Sequence, residues 1–173
     1  MAITEQYEDK EALSLKEMFE KLEATSMAHT HPLTTPIQSC FRWDSLFTLP
    51  PFTKQNMKLY GVAFRSVRKS DCVDDDSLLY AADASAYQEV LTSGKLIGYW
   101  YGTLNERREC LASCIWRNRE AAESVMSAPL HIKAASLATH FYERYTLESF
   151  WIHCNSDGSY TIEIIRSTSS SFS

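Results

Sequence analysis

The sequence predicts an α+β fold in which helices cover one face of an antiparallel sheet. Three observations support it: 173 residues with 45% hydrophobic content, an apolar hairpin pattern over 95–116, and helical patterns between strand-like segments. A chain of this length fills one core and is short for two. We therefore expect an N-terminal helix and Pro/aromatic-rich arm packed on the core (1–57), an α+β domain (58–167) and a disordered tail (168–173).

The first 57 residues carry a helical pattern and then an irregular segment. Leu13, Leu15, Met18, Phe19 and Leu22 recur near helical spacing, which predicts a short helix. The arm that follows is rich in Thr and Ser and holds four of the five prolines, yet it has too many large apolar side chains for a free linker. We expect it to lie over the domain and bury Phe41, Trp43, Leu46, Phe47, Leu49 and Phe52.

The domain itself begins with a strand and a helix. From Lys58, the segment LYGVAFRSV has the β-branched and aromatic content of a strand. A helix is predicted through SLLYAADASAYQEVLTSG, capped by one of the acids at 74–76 and stopped by Gly94. The acidic run at 71–76 lacks the spacing and the glycine turn of a calcium loop, so no metal is expected there.

Residues 95–116 read as two strands with a tight turn at Asn105 and Glu106, which would place Leu104 opposite Arg107. Alternation divides their side chains between two faces. One face takes Tyr99, Tyr101, Cys110, Ala112, Cys114 and Trp116, and the other takes Gly98, Trp100, Gly102, Leu111, Ser113 and Ile115. Both faces are largely apolar, so one must be covered by helices and the other by the arm, a partner or a ligand.

The last third of the chain predicts a broken helix and two strands. RNREAAESVMS starts a helix that breaks at Pro129, and PLHIKAASLATHFYERY continues it. An apolar stripe is expected on that second part, formed by Leu130, Ala134, Leu137, Phe141 and Tyr145. LESFWIHC and SYTIEIIRS are strands around a turn at 155–158. The order is therefore βαββαβ plus one strand, the ferredoxin-like arrangement.

Composition narrows the class of function. A net charge of −5 argues against binding of nucleic acid, which requires a basic surface on the protein. No apolar run approaches the roughly 20 residues that span a bilayer, and the N-terminus lacks the pattern of a signal peptide. We therefore expect a protein of the cytoplasm, with the nucleus as an alternative location, and no membrane partner. Five scattered cysteines indicate reduced thiols. Because metal and nucleotide signatures are lacking, no cofactor is expected.

Six side chains are candidates for a site. Tyr99, Tyr101, Trp116 and Trp151 could line a pocket, since small residues across the hairpin leave room between their rings; the alternative is that they are core. His131 and His153 are candidates for an acid or base near neutral pH, or else are surface residues. Cys110 and Cys114 have strand spacing rather than that of a zinc knuckle.

SCIWRNREAAESVMSAPLH resembles the strand-to-helix passage of the dimeric α+β barrel proteins, the superfamily of antibiotic-biosynthesis monooxygenases and haem-degrading enzymes. The resemblance covers residues 59–154 and implies a ferredoxin-like core and dimers whose sheets pack face to face. It does not extend to haem degradation, because Val125 stands where that branch has a second Trp. GYWYGTLNERRECLASCIWR further resembles an uncharacterised fungal protein family without an assigned activity.

Two functions follow as expectations. The first is binding of a small apolar or aromatic metabolite in a pocket on the sheet, which the resemblance extends to cofactor-independent oxygenase or isomerase activity. The second is a non-catalytic interaction protein whose sheet face is covered by its own arm or by a second subunit. A homodimer and a small apolar ligand are therefore the expected partners, and whether the protein is an enzyme stays open.

Overall fold

The computed structural model describes residues 15–49, 52 and 55–172. The strands among them are β1 (Met57–Arg68), β2 (Leu96–Tyr101), β3 (Glu109–Trp116), β4 (Tyr142–Cys154) and β5 (Tyr160–Ser171). The helices after residues 15–19, which are also helical, are α1 (Ser26–Thr30), α2 (Ile37–Cys40), α3 (Trp43–Phe47), α4 (Ser77–Thr92), α5 (Arg119–Val125), α6 (Pro129–Ser136) and α7 (Ala138–Phe141). A 3-10 turn, Ser70–Asp75, precedes α4.

The strands form one sheet in the order β2-β3-β1-β4-β5, and every neighbouring pair is antiparallel. The first four strands, with α4 after β1 and α5 to α7 after β3, have the ferredoxin-like βαββαβ topology. Strand β5 is added at the edge beside β4. The predicted α+β fold class is confirmed.

Each face of the sheet packs against a different layer. On the helix side, Tyr60 and Trp116 form a buried cluster with Val90 of α4 and Val125 of α5. We call the opposite side, which carries Leu59, Ala63, Leu111, Ile115, Phe150 and Ile152, the arm side. Apolar burial on both sides explains why the central strands read as nearly continuous apolar runs.

The N-terminal arm covers the arm side with three short helices. Trp43 is 1% exposed, and its indole Nε1–H donates to the carbonyl of Ile37 at 3.1 Å. Its ring lies parallel to that of Phe47, with centroids 6.0 Å apart. Among the six arm side chains that the sequence predicts to be buried, Leu49 is the exception, because it is 47% exposed. Leu15 and Phe19 are buried in the apolar cluster on the arm side of the sheet, whereas Leu13 lies outside the described residues.

The hairpin between β2 and β3 has a longer connection than predicted. Tyr101 pairs with Ala112, so Leu104 does not face Arg107. The amide of Asn105 donates to the carbonyl of Glu109 at 3.0 Å, and Arg108 adopts φ 60° to close the turn. Because the register shifts by two residues and side chains alternate with period two, the predicted division of the faces survives.

Two expectations for the C-terminal third are wrong. The helical segment ends at Phe141, and Tyr145 lies in β4 opposite Ser66 rather than on a helix. Of the predicted stripe, Leu137 and Phe141 pack in one cluster, whereas Leu130 is exposed. Aromatic and β-branched residues in YERYTL favour the strand, where Tyr145 packs on Phe64. The tail is also not disordered through Ser171, since Ser171 pairs with Arg144 in the β4–β5 ladder.

Helix α4 begins without the predicted side-chain cap but ends at the predicted glycine. Asp76 occupies the N-cap position without capping it; its carboxylate pairs instead with the buried guanidinium of Arg68. Gly94 follows the last turn with φ +66°, the left-handed conformation that favours glycine after a helix. The charge of Asp76 therefore neutralises Arg68 at the end of β1.

Within residues 15–49, 52 and 55–172, no helix has the length and apolarity needed to cross a bilayer. All five cysteines are free thiols.

Candidate functional site

A cavity of about 280 Å³ lies between the helix side of the sheet and helices α4, α6 and α7. The volume of this helix-side cavity is just below the usual range for small-molecule pockets, about 300–1,000 Å³. Its lining is mostly apolar, and half-exposed side chains such as Tyr80 and Leu147 mark its mouth. It is lined by Val62, Phe64, Leu79, Tyr80, Asp83, Ala86, Tyr99, Tyr101, Ala112, Cys114, His131, Ala134, Ala135, Ala138, Tyr142, Tyr145 and Leu147.

A carboxylate and a phenol meet in this cavity. The hydroxyl of Tyr99 on β2 donates to both carboxylate oxygens of Asp83 on α4, at 2.9 and 3.1 Å. Burial raises the pKa of Asp83, and the hydrogen bond from Tyr99 opposes that rise. Burial also raises the pKa of Tyr99, and the neighbouring Asp83 adds to this shift. The phenol therefore stays protonated and acts as a donor.

Aromatic rings from four elements, β1, α4, β2 and β4, make up much of the wall. Tyr80 packs edge-on to Tyr101 with centroids 6.1 Å apart. On the other side Phe64 lies 5.2 Å from Tyr142 and 5.1 Å from Tyr145. Burial raises the pKa of Tyr142 to about 12. The rings thus present apolar faces with protonated hydroxyls between them.

His131 enters the cavity from the first turn of α6. Its backbone amide donates to Glu89 Oε2 at 3.2 Å, and the amide of Leu130 donates to the same oxygen at 3.0 Å. Burial lowers the pKa of the His131 imidazole, while the charge of Glu89 opposes the shift. The ring is therefore neutral at pH 7 and able to accept a proton.

Thiolate and metal chemistry have little support here. Burial, followed by the charge of Asp83, raises the pKa of the Cys114 thiol to about 12, so this side chain is not ionised near neutral pH. Across the described residues, no three His, Cys, Asp or Glu side chains group in a way that could hold a metal ion.

The sequence-predicted site residues separate into two groups. Tyr99, Tyr101 and His131 line the helix-side cavity. Trp116, Trp151 and His153 lie outside it. Trp116 is in the buried cluster under α4 and α5, and Trp151 packs on Tyr60 at 5.0 Å with the Lys58 ammonium 4.0 Å above its ring. His153 is paired with Glu163 at 3.2 Å on the surface.

Sequence reasoning missed Asp83, although a signal for it exists. Leu79, Ala82, Ala86 and Val90 are the buried residues of α4, and Asp83 falls on the same helical stripe. An acid on an otherwise apolar stripe is a departure from an amphipathic pattern and marks a site candidate. The cavity residues Tyr142 and Tyr145 could not be assigned to the sheet, because the sequence pattern places them in a helix and not in β4.

A larger, polar groove of about 760 Å³ lies on the arm side, between the arm and strands β4 and β5. Two of its three lining arginines, Arg65 and Arg107, are engaged by carboxylates. Arg65 donates to Glu148 Oε1 at 3.1 Å, and Arg107 donates to Glu109 Oε2 at 2.8 Å. The helix-side cavity is therefore the better candidate site.

Solved structures with a similar backbone have low sequence identity to this chain. A Nitrosomonas europaea protein provisionally named an antibiotic biosynthesis monooxygenase is 7% identical, with a TM-score of 0.44 over 62% of this chain and 89% of that one. Protein SO0527 from Shewanella oneidensis is 14% identical (TM-score 0.47, covering 57% and 93%). A mutant of SnoaB, a cofactor-independent oxygenase from Streptomyces nogalater, is 10% identical (TM-score 0.41, covering 54% and 89%). The fold class follows from the strand order of the sheet.

No curated protein matches the chain significantly. A family model described as PB2B2.08-like matches residues 2–166. This match spans nearly the whole chain, and the protein therefore belongs to the PB2B2.08-like family.

Proposed function

We propose that the protein binds a small apolar or aromatic molecule in the helix-side cavity. The observation that carries this is an apolar, ring-lined cavity of about 280 Å³ that contains the Asp83–Tyr99 pair. Apolar walls with a few convergent polar groups are the general pattern of small-molecule sites. The volume suits a ligand with one ring or two fused rings.

Binding is tested by thermal unfolding with a panel of neutral, cationic and anionic one-ring and fused-ring aromatic molecules, followed by calorimetry of those that stabilise the protein. Ala112→Leu adds atoms to the cavity wall and is expected to abolish binding, since Ala112 lines it. Ala84→Leu is the matched control, because Ala84 is exposed on α4. If no molecule of the panel binds, or if Ala112→Leu binds as the wild type does, the proposal is wrong.

Within this proposal, His131 is the candidate base for cofactor-independent proton transfer or oxygenation. Its support is its place in the cavity and the lowered pKa of its imidazole. His131→Gln is expected to abolish turnover of a bound molecule while its Kd changes little. His153→Gln is the matched control, because His153 lies outside the cavity. Unchanged turnover in His131→Gln would contradict this role.

The second candidate is a non-catalytic interaction protein in which a second copy covers the cavity mouth. The described part of the arm packs on the arm side and not in this cavity. The observation that favours a second copy is the exposure of Leu130 and Ile132 on α6, which forms one side of the mouth. Multi-angle light scattering separates the candidates: a dimer broken by Ile132→Glu supports this one, and a monomer contradicts it.

A further inference from the structure

The charge inside the helix-side cavity is unbalanced. Asp83 is half-buried and is the one acidic side chain among the described residues that line the cavity. No Lys or Arg is found among those lining residues, and His131 is neutral near pH 7. The donor that the structure gives to the Asp83 carboxylate is the uncharged hydroxyl of Tyr99. The carboxylate thus lacks a counter-charge from the cavity wall.

The cavity wall also has the composition of an aromatic cage. Six of its residues are aromatic: Phe64, Tyr80, Tyr99, Tyr101, Tyr142 and Tyr145. The faces of such rings attract a cation within about 6 Å of their centroids. Aromatic rings around one carboxylate provide the two interactions that a desolvated ammonium group requires, an ion pair and cation–π contacts.

Two of these rings already hold a cation in this chain. The guanidinium carbon of Arg68 lies 5.3 Å from the ring centroid of Tyr142 and 5.8 Å from that of Tyr80. Arg68 does not supply the missing charge of the cavity, because it forms an ion pair with Asp76 and is not among the lining residues. The remaining rings of the cage are free of such a contact with Arg68.

Resting on the proposed function, we propose that the cavity selects small organic cations: an ammonium group bound by Asp83 and the surrounding rings, attached to an apolar or aromatic body. The raised pKa of Asp83 supports this, since burial without a counter-charge penalises the carboxylate and a bound cation relieves that penalty. The body of the ligand packs against the small side chains of Ala86 and Ala112.

A matched trio of ligands tests the inference by isothermal titration calorimetry of the full chain. The probes are 2-phenylethylamine, 2-phenylethanol and phenylacetate, which share a phenyl ring and differ in charge. We expect the amine to bind at least about tenfold more tightly than the alcohol, about 1.4 kcal/mol, and the acid to bind weakest. Asp83→Asn is expected to remove this preference, whereas Glu123→Gln on the exposed face of α5 leaves it unchanged.

Each outcome decides the matter. Binding of the alcohol equal to or tighter than that of the amine overturns the cation inference and leaves the proposed function standing. Absence of binding by all three at millimolar concentration overturns the cation inference, and the broader panel then decides the proposed function separately. If Asp83→Asn fails to fold, the wild-type comparison of the three probes still answers the question.

Discussion

The packing of the arm on the sheet is tested most sharply at Trp43. Its ring is 1% exposed, lies 5.2 Å from the ring of Phe41, and donates a hydrogen bond to the Ile37 carbonyl. Truncation of a buried Trp to Ala costs about 3–5 kcal/mol. In a domain of 150–250 residues, each kcal/mol lowers the Tm by about 2–4 °C. We therefore expect Trp43→Ala to lower the Tm by roughly 6–20 °C.

Circular dichroism and scanning calorimetry measure this shift, and two further variants control it. Leu49→Ala changes an arm side chain that is 47% exposed, so its effect is expected within about 0.5 kcal/mol. Trp43→Phe keeps a ring but removes the donor to Ile37, and is expected to cost about 1 kcal/mol. A Trp43→Ala protein that unfolds within about 2 °C of the wild type would refute the packing of the arm described here.

Three other predictions concern the sheet and the cavity. Gly61→Ala is expected to destabilise the protein by about 1–3 kcal/mol, because its Cβ would lie 2.2 Å from the buried ring of Phe150; an unchanged urea midpoint would contradict this. Arg65→Met is expected to lower the free energy of unfolding by about 3–5 kcal/mol, since it leaves Glu148 unpaired. Adding Glu148→Leu in the same chain should recover part of this loss. A loss below about 1 kcal/mol in the single variant would contradict the importance of the pair. The pKa of Asp83 in the folded protein is raised above its ordinary 3.8, so the folded state binds more protons than the unfolded state. The protein therefore loses stability as the pH rises from about 3.8 through the folded-state pKa of Asp83. Asp83→Asn is therefore expected to be more stable than the wild type at pH 7, with the gain shrinking as the pH falls towards 4; a lower Tm at pH 7 would show the reasoning to be wrong.

The topology could be predicted because its signals are local. Period-two alternation places Tyr99 and Tyr101 on one face of β2, and Cys114 stays on the same face because the register error is two residues, whereas an odd shift would have moved it to the other face. The position of Gly94 likewise indicates the end of α4. Local patterns of this kind do not depend on which other elements they later meet.

The rest depends on contacts between distant segments. YERYTL continues a helical pattern in sequence, yet Tyr145 pairs opposite Ser66 and packs on Phe64, and this tertiary pairing outweighs the local preference. The side of the sheet covered by the arm is likewise not encoded in the arm's own sequence. The site suffers most, because the Asp83–Tyr99 contact joins a helix and a strand that meet only after folding.

The arm covers one side of the sheet, and we propose that a small molecule binds on the other. The most direct test is a ¹H–¹⁵N correlation spectrum of the full chain during titration with 2-phenylethylamine. We expect chemical-shift changes confined to amides on the helix side, around Asp83, Tyr99 and His131, while the amide signals of Trp43 and Phe47 stay unchanged. Shifts centred on the arm, or none at saturating probe, would contradict this proposal.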